Sequence, residues 1–273
     1  MVSMLVFGST AQVPEYGVAP TVTCAVPSVP RMMTVSSPSL QGTRTAVTSE
    51  AGGYSFPALP PASLGSGFIV DAENGYIVTN NHVIKDAEEV RVTLFDDTTL
   101  DAEIVGRDDK MDLAVLKVKT EKELVAASFG DSDRMRVGDW ILAIGNPFGL
   151  GGTVTAGIIS ARQRDINAGP YDSFIQTDAS INRGNSGGPM FDLEGRVIGI
   201  NTAIFSPSGG SIGIGFAIPS DLAKPVIRQL IEFGRTRRGW LGVRIQSVTE
   251  EIAESLGLKK PQGALIASVT PTG

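Results

Sequence analysis

Between Gly65 and Ile218 most apolar runs are closed within a few residues by Gly, Asn or Asp, and this spacing favours short, sharply turned strands. Ser66-Gly67-Phe68-Ile69-Val70 and Tyr76-Ile77-Val78-Thr79 flank Asp71-Ala72-Glu73-Asn74-Gly75. The Asn-Gly pair predicts a hairpin, because both residues tolerate the left-handed backbone of a tight turn. Val90-Arg91-Val92-Thr93-Leu94 alternates, turns at Asp96-Asp97-Thr98-Thr99, and alternates again over 100–105. An apolar strand, Leu113-Ala114-Val115-Leu116-Lys117-Val118, follows the charged turn at 107–110. The second half repeats the design at 140–144, 149–152, 153–159, 174–177, 196–201 and 213–218. This is a mainly β, antiparallel pattern, that of a β-barrel or sandwich pair. One helix is expected, from Ser220 as N-cap to Phe233, with Leu222, Val226, Ile227, Leu230 and Ile231 at helical spacing, Pro225 near its first turn and Gly234 as its stop.

Residues 1–64 differ from all that follows: they hold four charged residues and eight of the sixteen prolines. They are expected to form a mostly disordered extension, although Thr21-Val22-Thr23 and Met33-Thr34-Val35 have the propensity to add an edge strand. The organisation expected is an N-terminal extension over 1–64, a main domain over 65–235 and a C-terminal piece over 236–273. With a net charge of −6 and a pI near 4.9, the chain lacks the basic stripe of a nucleic-acid surface. Cys24 is its only cysteine, which excludes an internal disulfide or a cysteine metal cluster. No run approaches the roughly 18 apolar residues of a membrane span. The first residues lack the positive region of a secretory signal.

Chemistry concentrates at Asn182-Arg183-Gly184-Asn185-Ser186-Gly187-Gly188-Pro189. Small residues around one hydroxyl predict a tight turn in which the N–H groups of Gly184 and Ser186 converge on a developing oxyanion. A serine hydroxyl needs a base, and a Ser/His mechanism within one chain has to use His82, the only histidine. His82 follows Ile77-Val78-Thr79-Asn80-Asn81, where a β-branched run ends in polar residues at a loop. An aspartate at the mouth of a buried strand is a turn former or a functional carboxylate. Asp108, Asp109 and Asp112 all qualify, and only Asp112 abuts the apolar strand.

Five segments, Thr79-Asn80-Asn81-His82-Val83, Asp112-Leu113-Ala114-Val115-Leu116, Gly145-Asn146-Pro147-Phe148-Gly149, Gly184-Asn185-Ser186-Gly187-Gly188-Pro189 and Gly213-Ile214-Gly215-Phe216-Ala217-Ile218-Pro219, resemble in this order the HtrA/Deg (DegP-like) serine proteases. The resemblance runs from about Gly65 to the end. It implies a trypsin-like fold of two antiparallel six-stranded β-barrels, followed by a C-terminal helix and the start of a PDZ domain. It also implies a catalytic triad of His82, Asp112 and Ser186, an oxyanion hole from Gly184 and Ser186, and no cofactor. Substrate contacts are expected at Ser180, Ile181, Ile214 and Gly215. Ser180 stands where a trypsin-like enzyme carries an aspartate, so cleavage after small or medium aliphatic residues is expected.

The family implies an ATP-independent endoprotease of unfolded or misfolded proteins in the periplasm. A chaperone-like binder of unfolded chains with a latent site is the alternative. The trimer typical of the family draws a barrel strand and an oligomer contact from upstream of the position of Gly65, and residues 1–64 supply neither visibly. Arg238-Gly239-Trp240-Leu241-Gly242-Val243 resembles a PDZ opening, and residues 236–273 are too few to complete that domain. The polar loops 162–172 and 205–211 resemble segments that set active and inactive states.

Overall fold

In a computed structural model, residues 32–36, 47–48, 54–55, 65–147, 152–207 and 210–270 are described. Thr21-Val22-Thr23, most of 149–152 and parts of the motif at 145–149 and the loop at 205–211 lie outside them. The strands are β1 (Met32–Ser36), β2 (Val47–Thr48), β3 (Tyr54–Ser55), β4 (Gly65–Asp71), β5 (Tyr76–Thr79), β6 (Val90–Thr93), β7 (Thr99–Asp108) and β8 (Leu113–Val118). After them come β9 (Trp140–Gly145), β10 (Thr153–Arg164), β11 (Phe174–Thr177), β12 (Pro189–Phe191), β13 (Val197–Ile204) and β14 (Gly215–Pro219). The helices are α1 (Asn81–Ile84), α2 (Ser220–Phe233) and α3 (Glu250–Ser255), the last lying between β15 (Val243–Ser247) and β16 (Ala264–Val269).

Two closed barrels result, ordered β1-β4-β5-β8-β7-β6 and β9-β10-β11-β14-β13-β12. Counting within each barrel, both follow the order first, second, third, sixth, fifth, fourth. The predicted hairpin joins β4 to β5, with Gly75 at a φ of 70° and Asn74 N–H bonded to Asp71 Oδ1 at 2.9 Å. β12 was not anticipated, because three residues directly after a glycine turn carry no periodicity.

One difference from the sequence reading concerns residues 1–64. Met32–Ser36 pairs antiparallel with β4 on one side and β6 on the other, so it is an interior strand that closes the first barrel. Met33-Thr34-Val35 thus has two partners, not the single one of an edge. The first barrel begins upstream of Gly65, because β4 and β6 present unpaired backbone edges that an extended segment satisfies whatever its charge content.

Three apolar clusters hold the barrels. Ile77, Val92 and Leu116 fill the first barrel, and Ile141, Ile159 and Ile175 fill the second. A third joins Phe68, Val78 and Leu113 of the first to Phe191, Val197 and Ile200 of the second, together with Ala223, Ile227 and Leu230 of α2. The predicted helix therefore braces the interface. Ser220 Oγ donates to Gly130 O at 3.0 Å, and Ser132 Oγ donates to Asp221 Oδ2 at 2.9 Å. At the other end Gly234 adopts a φ of 68° and its N–H closes on Leu230 O at 2.9 Å.

Burial opposes ionisation of Asp221, but hydrogen bonds from Lys224, the Ser132 hydroxyl and Asp133 N–H outweigh it and hold the carboxyl at about 2, below its ordinary 3.8. Residues 237–273 form a separate unit in which β15 and β16 pair antiparallel. There Thr249 caps α3 by accepting from Ile252 N–H at 3.3 Å. Among the described residues, no helix is long and apolar enough to cross a membrane.

Candidate active site

His82 sits on the single turn α1, directly after β5. Val83 and Ile84, 3% and 1% exposed, anchor that turn in the first barrel and leave the imidazole at its rim. Asp112 precedes β8 with a φ of 52°, in the left-handed region that Asp tolerates better than most residues. Its carbonyl accepts from Asn81 N–H at 3.1 Å and from Asn80 Nδ2 at 2.7 Å, which offsets the strain. The carboxylate then meets His82 twice: Oδ1 accepts from the His82 N–H at 2.8 Å, and Oδ2 lies 2.6 Å from Nδ1. A carboxylate can only accept, so Nδ1 carries the proton, and in the neutral imidazole Nε2 then presents a lone pair. The competing acids have other partners. Asp109 Oδ1 accepts from Asn81 Nδ2 at 2.7 Å, and buried Asp108 accepts from Met111 N–H at 2.8 Å and from Thr236 Oγ1.

Ser186 belongs to the second barrel, between β11 and β12. Asn185 N–H closes on Asn182 O at 3.1 Å with Gly184 at a φ of 99°, the pattern of a type II turn, which demands φ above zero at its third residue. Gly187, at a φ of 86°, has no room for a side chain: a Cβ would lie 2.2 Å from Ser66 O and 2.4 Å from Thr79 Oγ1. The Ser186 hydroxyl donates to Thr202 O at 3.2 Å. No hydrogen bond among the described residues joins it to His82, and none uses the N–H of Gly184 or Ser186.

Polar contacts stitch the two halves together around these groups. Asn80, fully buried between β5 and α1, reaches Thr202 Oγ1 on β13 at 3.1 Å with the same amide nitrogen that holds the Asp112 carbonyl. Ser66 on β4 donates its N–H to Ser186 O at 2.8 Å and its hydroxyl to Gly184 O at 2.6 Å. Sequence reading found none of Ser66, Asn80 and Thr202 as site-supporting residues. The asparagine pair before His82 was the only available signal.

Of the expected substrate contacts, Ser180 is exposed and its carbonyl accepts from Thr155 Oγ1 at 3.1 Å. Ile181 is 2% exposed and packs on Gly215, where a Cβ would come 2.7 Å from its Cγ1. Ile214 is half-buried just ahead of β14, and its carbonyl accepts from Phe205 N–H at 3.0 Å. Beside His82 and Asp112 opens a cavity of about 420 Å³, walled by Met111, Tyr171, Phe174 and Ala203. Its loop wall is shaped by Asp172, whose Oδ2 accepts from Ile166 and Ala168 N–H at 3.0 and 2.8 Å.

Such an arrangement can do acyl-transfer chemistry: an oriented imidazole, a hydroxyl on a glycine turn, and two N–H groups without partners among the described residues. Residues 65–200 match the trypsin-like peptidase domain. The chain is 61% identical over 214 residues to a probable periplasmic serine endoprotease, DegP-like, of Brucella suis biovar 1, covering 78% of this chain and 42% of that protein. A protein so described from Bartonella henselae is 62% identical over 208 residues, covering 76% and 41%. The chain thus spans less than half the length of these relatives. Among solved structures, the HtrA-type protease AlgW with tripeptide superposes with a TM-score of 0.76 at 46% identity, covering 93% of this chain and 78% of that one.

Proposed function

Because the chain belongs to the HtrA/Deg (DegP-like) family of trypsin-like serine proteases, we propose that it is an ATP-independent serine endoprotease that hydrolyses peptide bonds of unfolded or misfolded proteins. The observation that carries this reading is the double contact of the Asp112 carboxylate with the backbone and ring of His82, which aims a lone pair away from the acid. Ser186 Oγ attacks the scissile carbonyl as His82 Nε2 takes its proton. The Gly184 and Ser186 N–H groups receive the oxyanion, and the imidazolium, stabilised by Asp112, returns the proton to the leaving amine. Water then enters as nucleophile and the same base releases the acyl group.

Ser180, Ile181, Ile214 and Gly215 are assigned to the pocket for the residue before the cleaved bond. It offers no acid, so small and medium aliphatic residues fit best. A panel of peptides varied at that position checks this; preference for Lys or Arg counts against it. The description of these relatives as periplasmic supports a periplasmic setting. Residues 236–273 are read as the opening of a PDZ domain.

The test compares casein turnover and labelling by a serine-directed phosphonate in the wild type and Ser186→Ala. Turnover is expected to fall on the order of 10⁴- to 10⁶-fold and labelling to disappear. The resting bond from Ser186 to Thr202 O favours a second reading, a binder of unfolded chains with a latent site. Catalytic bonds are often loose without substrate, so the protease reading stands first. Holdase activity that survives Ser186→Ala, with no turnover by the wild type, would reverse the order.

A further inference from the structure

The hydrogen bonds around Ser66 have no part in the chemistry above, yet they converge on its two oxyanion donors. Ser66 lies on β4 of the first barrel and is fully buried. Its N–H holds the carbonyl of Ser186 at 2.8 Å, and its hydroxyl holds the carbonyl of Gly184 at 2.6 Å. Ser66 Oγ also accepts from Asn146 N–H at 2.9 Å, so both its proton and a lone pair are committed. The Ser66 carbonyl accepts from Thr79 Oγ1 at 2.7 Å, which ties it to the strand leading to His82. One residue therefore grips, by their carbonyls, the two residues whose N–H groups are proposed to receive the oxyanion.

We propose that Ser66 is a positioning residue for the oxyanion hole: by clamping the carbonyls of Gly184 and Ser186 it fixes the spacing of their N–H groups and couples the first barrel to the nucleophile turn of the second. The physical need is specific. Glycines at a φ of 99° and 86° flank the nucleophile region, and glycine has the widest choice of backbone conformations, so the turn needs an external constraint. Backbone N–H donors stabilise an oxyanion only when their geometry is set before the charge develops. A buried hydroxyl bonded on both sides supplies such a constraint, and its loss leaves Gly184 O and Asn146 N–H in a buried site without that partner.

The proposal rests on the serine-protease reading, and the test separates the two. Kinetics of a short aliphatic peptide substrate are measured for the wild type, Ser66→Ala and Ser66→Cys, normalised to folded protein by circular dichroism. Affinity for a peptide boronic acid, which forms a tetrahedral adduct on Ser186, is measured beside that for the product peptide. In Ser66→Ala, kcat is expected to fall on the order of 10- to 100-fold with KM changed less than about twofold, because donors are displaced and substrate contacts remain. Boronate affinity should fall by a similar factor while product affinity holds. Ser66→Cys fills the volume with a weak donor and should fall between the other two, and it serves as the second variant if alanine leaves the chain unfolded. Wild-type kcat in a folded Ser66 variant, or equal losses of boronate and product binding, overturns the proposal. An inert wild type that neither labels nor turns over overturns the protease reading, and this proposal with it.

Discussion

The two barrels share one strand order and divide one task. The first carries His82 and Asp112, the proposed base and its acid, on short loops pinned by directional hydrogen bonds: the Asn80 amide and the Asn81 N–H hold the Asp112 carbonyl, and the Asp112 carboxylate holds His82. The second carries Ser186, the proposed nucleophile, on a turn built of glycine backbone, with Gly184 and Gly187 in the left-handed region. A base has to point in one direction, and directional hydrogen bonds from rigid side chains achieve that. An oxyanion site has to present main-chain N–H groups to a substrate that approaches closely, and glycines beside the nucleophile leave the space and allow the turn. The same topology therefore carries two kinds of local order, and the seam between barrels is where one supports the other.

Four experiments would break or sharpen this contrast. The largest effect is expected from the first barrel's acid. Asp112→Asn keeps the shape but turns an amide toward Nδ1, so turnover should drop by about 10⁴-fold with an unchanged circular-dichroism spectrum. A loss below tenfold would mean that Asp112 is not the orienting group.

Next, a methyl group at either of two glycines should strain the fold. Gly75→Ala in the first barrel, at a φ of 70° with its Cβ 2.3 Å from Val118 O, and Gly187→Ala in the second face similar crowding. Each should cost about 2–5 kcal/mol in urea unfolding. Only Gly187→Ala should reduce phosphonate labelling beyond the loss of folded protein. Equal labelling losses would erase the proposed specialisation of the second barrel.

Truncating the cores separates shared from private packing. Leu116→Ala and Ile159→Ala remove fully buried side chains from the first and second barrels, and each should cost about 2–4 kcal/mol. Because the third cluster runs through both barrels and α2, unfolding should remain one transition by fluorescence and circular dichroism. Two separated transitions would show that the barrels fold independently.

The smallest effect is that of pH on the α2 brace. Asp221 is held near 2 in the folded chain against an ordinary 3.8, so its stabilisation is complete above about pH 4 and is lost as pH falls toward 2. Asp221→Asn should flatten that part of the acid unfolding curve measured by urea titration. An unchanged slope would remove Asp221 from the brace.

Much of the architecture was legible because it rests on local rules. Gly75 after Asn74 announced its hairpin, and Gly234 ended α2 in the left-handed form expected of a helix stop. Ser220 proved to be the first helical residue instead of the cap, with Pro219 preceding it. The interior place of β1, whose Met33-Thr34-Val35 was expected at most as an edge strand, was hidden for a different reason. Its pairing partners lie on β4 and β6, tens of residues away, and its neighbours in sequence carry prolines and little charge.

At the site, amino-acid type alone determined a great deal: a lone histidine leaves one candidate base, and a serine among glycines announces an exposed hydroxyl with room for N–H groups. Sequence also left Asp108, Asp109 and Asp112 in competition. Tertiary structure separated them, because Asp109 bonds to Asn81, Asp108 bonds to Met111 and Thr236, and only Asp112 faces His82. It alone paired Ser66 with Gly184, 118 positions apart, and Asn80 with Thr202, 122 apart. Residue type dictates which groups can donate, accept or turn, since those are properties of one side chain and its backbone. Which donor meets which acceptor across the barrel seam depends on how two closed sheets pack, and no local pattern in the chain encodes that meeting.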